Sequence, residues 1–397
     1  MEMSAGHVRA VRQAELRPEG GLTDTQATRR DTIRAVVFQG PGRIQLCERP
    51  RPSLASAADV LIAVEACGIC GTDLHILENP PGHPATPGVV LGHEMVGHVA
   101  EAGPEARGVT VGDRVVVAPN ISCGSCAPCK QGAPGACLSS STVGIFRDGG
   151  LADLVSVPAR ACHRIAEALP ARVAALTEPL SCVLNGVRRV RPMPGEVAVI
   201  HGAGAIGLLF LAVLGAGGVR CVVAEPVALR REAARLMGAA ATVDPATADV
   251  RATVSALQPG GADLAVDAVG SQFGAAVAEV RPGGAVLLFG MNSQARSAIA
   301  QNDITRREIT VYGAYVGEAT FPAAVRQLES GLLRLDPVIS HYLPLERAQD
   351  AIDTLRSGGA VKAVLDVAGS AVIAEDSGER PLGRPGVSGF KQKGALQ

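Results

Sequence analysis

Between Ile33 and about Leu180 the apolar residues come in short runs rich in β-branched side chains: RAVVF, DVLIAVEA, GHEMVGHVAEAG and DRVVVAP. Glycine and proline turns separate them, a pattern that predicts a compact, mostly antiparallel β domain. From about Ser181 to Ala319 the pattern switches to strand-helix alternation. VAVI precedes an apolar helix, RCVVAEP precedes LRREAARLMGA, and DLAVDAV, AVLLFG and ITVYGAY follow. Alternation of this kind builds a parallel, doubly wound sheet, so the chain is read as α/β. After Phe321, FPAAVRQLESGLL and LERAQDAIDTLRSG have helical spacing and AVKAVLDV reads as a last strand.

The longest apolar stretch runs from Ala203 to Val219 and is broken by five glycines. It directly follows VAVI, so it predicts a buried helix and not a membrane span. The chain has 397 residues, 47% of them hydrophobic, enough for two or three domains without covalent staples. Lys and Arg total 37 against 38 Asp and Glu, which gives no general pull toward nucleic acid, membrane surface or strongly charged substrates. A small neutral substrate is expected, with no nucleic-acid and no membrane partner. The first 32 residues mix both charge signs without an apolar core segment, so they read as a disordered extension and not a signal peptide. Beyond Ala368 the polar, Gly/Pro-rich tail reads the same way.

Four of the ten cysteines lie in CGSCAPCKQGAPGAC, where Cys123, Cys126, Cys129 and Cys137 are spaced for a closed tetrahedral metal site. Such a site is structural, so the chemistry is expected elsewhere. Cys47, Cys67, Cys162, Cys182 and Cys221 are scattered through apolar segments and read as core residues, which favours a reducing, cytoplasmic setting. A second set of ligand types lies upstream: GICGTDLH supplies Cys70, Thr72 and His75, and LGHEMVGH supplies His93 and Glu94. HGAGAIG, between the VAVI strand and a helix, is a G-x-G-x-x-G loop in the context that gives the motif weight. Gly202 permits the tight turn, Gly204 lets a pyrophosphate approach the backbone, and Gly207 lets the helix pack close. Ile206 lies within the same loop. Glu225 ends the next strand, where a carboxylate binds adenosine ribose hydroxyls and repels a 2′-phosphate, so NAD is expected over NADP. Arg230 is a further cofactor candidate, although the plain reading of Arg230 and Arg231 is a solvated helix face.

In their order and spacing these motifs resemble the zinc-dependent medium-chain dehydrogenase/reductase superfamily, the alcohol dehydrogenase type. Glu94 after His93, the APNISCGSC run, DGGLADLVSVP and TEPLSCVLNGV are similar to its polyol, sorbitol, butanediol and threonine dehydrogenase branch. The resemblance covers roughly Ile33 to Val367. It implies a GroES-like, mostly antiparallel catalytic domain at 33–180 with a zinc lobe at 119–140 and a Rossmann NAD domain at 181–319. A return to the catalytic domain at 320–368 completes it, leaving 1–32 and 369–397 as extension and tail. It also implies two Zn²⁺ per subunit, structural and catalytic, and a homodimer or homotetramer.

At the catalytic zinc the resemblance makes Cys70 and His93 ligands and leaves Glu94 and Glu178 both open as the third. The competing readings are a strand salt bridge for Glu94 and a helix-start carboxylate for Glu178. Thr72 and His75 have the spacing of the superfamily's proton relay, with turn and surface roles as the alternatives. His83, His98, His163 and His341 lie in no ligand-bearing motif. Phe146, Tyr312 and Tyr315 are pocket candidates without a place. The implied activity is hydride transfer between NAD and the secondary alcohol or ketone of a polyol or sugar alcohol. An L-threonine or aminocyclitol dehydrogenase is the nearest rival, and a basic pocket residue would favour threonine. A non-catalytic NAD-binding sensor is more remote. A zinc-ribbon nucleic-acid binder is rejected by 3% aromatic content, no Trp and near-zero net charge.

Overall fold

The computed structural model describes residues 31–369; the expected extension and tail, apart from their innermost residues, lie outside the described residues. The chain opens with an antiparallel hairpin, β1 (Thr32–Gly40) and β2 (Arg43–Pro50). β3 (Asp59–Gly68), the short α1 (Gly71–Ile76), β4 (Glu94–Ala102) and β5 (Arg114–Val117) follow. A lobe then leaves the domain: β6 (Asn120–Ile121), α2 (Ala127–Lys130), a 3-10 turn Pro134–Ala136 and β7 (Ser141–Thr142). β8 (Leu154–Pro158), β9 (Cys162–Arg164) and α3 (Ala171–Ala174) lead to α4 (Thr177–Val190). α4 runs unbroken across residue 180, so the change of pattern there falls inside a helix.

The alternating segment supplies β10 (Val197–His201), α5 (Ala205–Ala216), β11 (Arg220–Ala224), α6 (Ala228–Leu236), β12 (Ala241–Val243) and α7 (Val250–Leu257). β13 (Ala262–Asp267), α8 (Phe273–Glu279), β14 (Val280–Leu288), α9 (Gln301–Arg306) and β15 (Thr310–Gly313) complete it. These strands form one parallel sheet in the order β12-β11-β10-β13-β14-β15. Its inner strands β10, β11 and β13 are buried on both faces by helices, which is why they read as continuous apolar runs. α10 (Phe321–Glu329), β16 (His341–Pro344), α11 (Ala348–Arg356) and β17 (Ala363–Asp366) close the chain.

β16 and β17 join the first sheet, in the order β16-β17-β3-β4-β5-β9, with β8 also paired to β3. Pairing is antiparallel except between β16 and β17. Its apolar layer, built on residues such as Val60, Leu61, Ile62 and Leu91, is continuous with β17 through Ala363 and Leu365. Two registers matter for the site: Gly68 stands opposite Glu94 and Val364 opposite Gly68. The ends of β3, β4 and β17 therefore meet at one place.

Candidate active site

That place holds the first ligand cluster. Cys70 caps α1 where the chain turns off β3, and the antiparallel register brings His93 and Glu94 beside it. One donor atom each from Cys70, His93 and Glu94 lies within 4.8 Å of the others. A half-buried thiol facing a buried imidazole and a buried carboxylate suits a divalent, borderline-soft ion such as Zn²⁺. The orphaned polar atoms fit the same conclusion: His93 Nδ1, Glu94 Oε1 and Asp73 Oδ1 are buried without a hydrogen-bond partner.

The surrounding charges are arranged about that cluster. Asp73 Oδ2 accepts from the Cys70 backbone N–H at 2.8 Å, and its Oδ1 lies 3.9 Å from His93 Nδ1. Burial pushes the Asp73 carboxyl up against the pull of His93. For His93, burial favours the neutral ring, but Cys70 and then Asp73 outweigh it and hold the imidazole well above its ordinary range. In the metal-free protein that raised pKa contributes stability which is full below about pH 6.5 and is lost as pH rises through the folded value. Metal uptake must expel this proton. Zinc affinity at this centre is therefore expected to weaken steadily as pH falls from 8.5 to 5.5 in a chelator competition; a flat profile would contradict the geometry.

Lys362 is the residue that sequence reasoning missed. It sits two positions before Val364, so the β17–β3 register carries it under the Cys70 turn, where Ile69 N donates to Ala363 O at 3.0 Å. Its Nζ donates to Ile69 O at 2.7 Å and forms an ion pair with Glu94 Oε2, both side chains almost fully buried. Burial works against the ammonium, yet Glu94 and Cys70 hold it above its ordinary range. Gly68 makes the room, since a Cβ there would lie 2.1 Å from Glu94 Oε2 and 3.1 Å from Lys362 Cε. The available signal was a lone lysine inside the apolar strand pattern AVKAVLDV. Asp73 lay unremarked inside GICGTDLH.

The two open readings of the carboxylates are both visible. Glu94 belongs to the cluster and is also salt-bridged. Glu178 lies in the first turn of α4 and outside the three-residue cluster. Burial pushes the Glu178 carboxyl up, and although His93 opposes this, Glu94 adds to it. Cys182, expected to be simple core, donates its thiol to Glu178 Oε1 at 3.3 Å. Beside Glu178, Pro119, Asn120, Ser181, Gly317 and Phe321 pack around an interstice too tight for a water molecule.

On α1, Thr72 Oγ1 is 3.7 Å from Cys70 Sγ. His75, three residues on, is partly exposed with Nδ1 2.8 Å from Glu78 Oε1. The remaining described histidines have local partners: His98 bridges Glu65 and Glu167, His163 stacks on Phe321 at 5.0 Å, His201 meets Glu279 at 2.7 Å, and His341 meets Ser340 at 3.0 Å. His83 bonds the Pro84 carbonyl at 2.7 Å. Phe146 and Tyr315 are largely exposed, and Tyr312 borders a depression with Arg188, Arg189 and Arg191.

In the lobe, Cys126 Sγ lies 3.4 Å from Cys129 Sγ and 3.8 Å from Cys137 Sγ. A tetrahedron with metal–sulfur bonds of about 2.3 Å has edges of about 3.8 Å, so the spacing fits a closed Zn²⁺ site. Backbone N–H groups of Ser125 and Cys126 point at Cys123 Sγ, each at 3.4 Å. With the Ser125 hydroxyl they draw that thiol down to about 5.

The nucleotide loop is cut to fit. Gly202 has φ 92°, and a Cβ on Gly207 would lie 1.9 Å from Gly202 O. Gly204 caps α5 with open space before its Cα, room for a pyrophosphate against the helix N-terminus. Ile206 is in the first turn of α5 and partly buried. Glu225 is buried, its carboxylate accepting from Ala203 N at 2.7 Å and Val227 N at 2.9 Å. A carboxylate has further lone pairs for ribose hydroxyls beyond these two bonds. The solvated-face reading of the two arginines is corrected: both are partly buried. Arg231 spans the Glu225 and Pro226 carbonyls and pairs with Asp244, while Arg230 reaches Ala360 O at 3.2 Å and leaves its Nε without a partner. Gly207→Ala is expected to weaken NADH binding at least about tenfold and to cost roughly 1–3 kcal/mol of stability. A fluorescence titration showing unchanged affinity would contradict this.

Residues 56–167 match the alcohol dehydrogenase GroES-like domain and residues 205–330 match the zinc-binding dehydrogenase domain. L-threonine 3-dehydrogenase of Pyrococcus abyssi is 34% identical over 325 residues, 79% of this chain and 92% of that protein. The chain belongs to the zinc-dependent medium-chain dehydrogenase superfamily. Erythritol/L-threitol dehydrogenase of Mycolicibacterium smegmatis is 33% identical over 83% of this chain and 95% of its own length. A Sinorhizobium meliloti structure described as a zinc-binding dehydrogenase, solved bound to NADP, superposes with TM-score 0.80 at 34% identity, covering 85% of this chain and all of that one. The protein is accordingly an oxidoreductase acting on CH–OH groups. Among the described residues no helix is long and apolar enough to cross a membrane.

Proposed function

We propose that this dehydrogenase oxidises a secondary hydroxyl of a small neutral polyol, or reduces the matching ketone, with NAD as hydride carrier. The observation that carries the substrate class is the set of charges about the Cys70–His93–Glu94 centre, where Glu178, Glu94, Asp73 and Lys362 act on one another. The residues packed around Glu178, among them Asn120, Ser181 and Phe321, include no Lys or Arg. A substrate bearing its own carboxylate, as L-threonine does, calls for a cationic partner, whereas a polyol is served by acceptors and hydroxyls. Lys362, the nearby cation, is spent on Glu94 and Ile69.

Bound at Cys70, His93 and Glu94, Zn²⁺ supplies the Lewis acidity that makes the substrate hydroxyl acidic, and NAD supplies the hydride acceptor. The protein's own groups do the rest. Asp73 orients the His93 ring, and Lys362 holds Glu94 back from a full embrace of the centre, which keeps a position open for substrate. Glu178, raised by burial and near enough to His93 and Glu94 to feel their charges, is placed to meet a substrate hydroxyl at the centre. The Thr72 hydroxyl takes the proton released at the reacting oxygen, and His75 delivers it to solvent beside Glu78. Glu225 favours NAD, because a 2′-phosphate would face its buried carboxylate. The open sheet edge at β15 supports a homodimer or homotetramer, and ten unpaired cysteines support a reducing cytoplasm.

The test is kcat/KM of zinc-replete protein for four- to six-carbon polyols, diols, cyclitols and L-threonine, each with NAD and NADP. A polyol should exceed L-threonine by at least about tenfold, and NAD should exceed NADP. Preference for L-threonine would replace the polyol reading with the amino-acid one.

A further inference from the structure

His201 ends β10, one residue before Gly202 of the nucleotide loop, and lies on the strand face that carries Val197 and Val199. Those two valines pack in an apolar layer with Val250 and Val254 of α7 and Ala276 and Val277 of α8. A histidine is out of place in that layer. His201 is only 4% exposed, and its Nε2 lies 2.7 Å from Oε2 of Glu279, the last residue of α8, itself 5% exposed. Both groups give up their hydration here, and an apolar pair of similar volume commonly gives equal or greater stability. Stability alone does not account for them.

The two ends of this contact differ. Glu279 stands on a fixed post: Arg307 Nη1 donates to Val277 O at 2.9 Å and Nη2 donates to Val280 O, so one guanidinium holds the chain on both sides of it. Gly261 fits against the same turn so closely that a Cβ there would lie 2.6 Å from Glu279 O. His201, by contrast, leads straight into the turn that receives the pyrophosphate. Gly202 N donates to Ala224 O at 2.8 Å, and Ala268 N donates to His201 O at 3.1 Å. These bonds run toward the neighbouring strands and fix the strand end sideways, in the plane of the sheet. The contact with Glu279 ties the same residue to the helix layer, out of that plane.

We infer that His201 and Glu279 are positioning residues for the cofactor: their buried contact fixes the Gly202 turn relative to α8, and with it the alignment of the loop and the α5 N-terminus against the pyrophosphate. Apolar packing is non-directional and holds energy without holding position, whereas a hydrogen bond of 2.7 Å admits one arrangement. A loop held in its binding arrangement has less ordering to do when NAD arrives, so it binds more tightly. The inference concerns nucleotide binding and not the choice of polyol, so NADH affinity is measured without substrate.

Three variants of the zinc-loaded full chain test it, with zinc content confirmed for each and NADH titrated below its Tm. Glu279→Leu leaves His201 buried without its partner, so Tm falls and NADH binding weakens at least about tenfold. Glu279→Gln keeps a hydrogen-bonding side chain of the same shape and is expected to hold NADH affinity within about threefold of wild type. The double variant His201→Leu/Glu279→Leu decides between position and packing. Its Tm is expected to recover to the wild-type value or above it, while NADH still binds at least about fivefold more weakly. NADH affinity that recovers together with Tm in the double variant would overturn the inference. So would full affinity in Glu279→Leu, or losses of Tm and affinity that track one another across all three variants. Should Glu279→Leu fail to fold, Glu279→Gln and the double variant carry the same two readouts.

Discussion

Cys70→Ser is expected to lower NADH formation by about 10³-fold or more, a loss of about 4 kcal/mol in transition-state stabilisation. Cys70 is the one thiol among the three donors that lie within 4.8 Å. The thiolate is the form that ligates, and a serine hydroxyl does not ionise in its place. What remains, His93 with Glu94 under the pull of Lys362, is too poor a set to keep a divalent ion against solvent. The variant should retain NADH affinity, because Gly202, Gly207 and Glu225 lie in the other sheet system. It should also retain the lobe metal, so that metal content falls from two equivalents to one. Elemental analysis, NADH titration and initial rates check the three statements separately. A variant with both metals, or with activity within tenfold of wild type, would show that the chemistry lies elsewhere.

Lys362→Met should produce the largest loss of stability away from the apolar core. In the metal-free protein the substitution keeps the stem and removes the charge, leaving the Glu94 carboxylate and the Ile69 carbonyl buried without their cation. Removing one partner of a buried pair costs about 3–5 kcal/mol, which at this chain length corresponds to a drop in Tm of roughly 10 °C. The second expected effect is catalytic: Glu94, no longer held, swings onto Cys70 and His93 and fills the position meant for substrate, so kcat falls while zinc binds more tightly. Lys362→Met/Glu94→Gln should recover more than half of the stability, because the uncompensated charge has gone. Calorimetry of wild type, both single variants and the double variant gives the coupling directly. A single variant as stable as wild type would mean that the ion pair does not hold Glu94.

What was legible beforehand follows from where the information sits along the chain. Cys70, His93, the four lobe cysteines and the glycines at 202, 204 and 207 lie in short motifs whose spacing is itself the geometry. The sheets were legible too, because β10, β11 and β13 are buried on both faces and β3 to β5 stand between turns. Lys362 was not, since its role depends on β17 returning 293 residues later to pair with β3 beside Ile69. Arg230 and Arg231 were misread for the same reason: a carbonyl from the returning segment and a turn at Asp244 cover a face that looks solvated in isolation. Asp73 was passed over because its significance comes from burial beside His93, not from spacing. The left-handed backbone at Val316 has no local signal, and its carbonyl is held by Asn185 from a distant helix.

The central claim is that catalysis belongs to the Cys70–His93–Glu94 centre and not to the four-cysteine lobe. Zinc titration of chelator-stripped protein, followed by metal content and by NADH formation on the best polyol, tests this most directly. Two equivalents should bind per chain, and activity should rise in proportion to occupancy of the Cys70 centre, so that protein loaded only in the lobe is inactive. Full turnover by metal-free protein, or by protein whose single zinc sits in the lobe, would contradict the account.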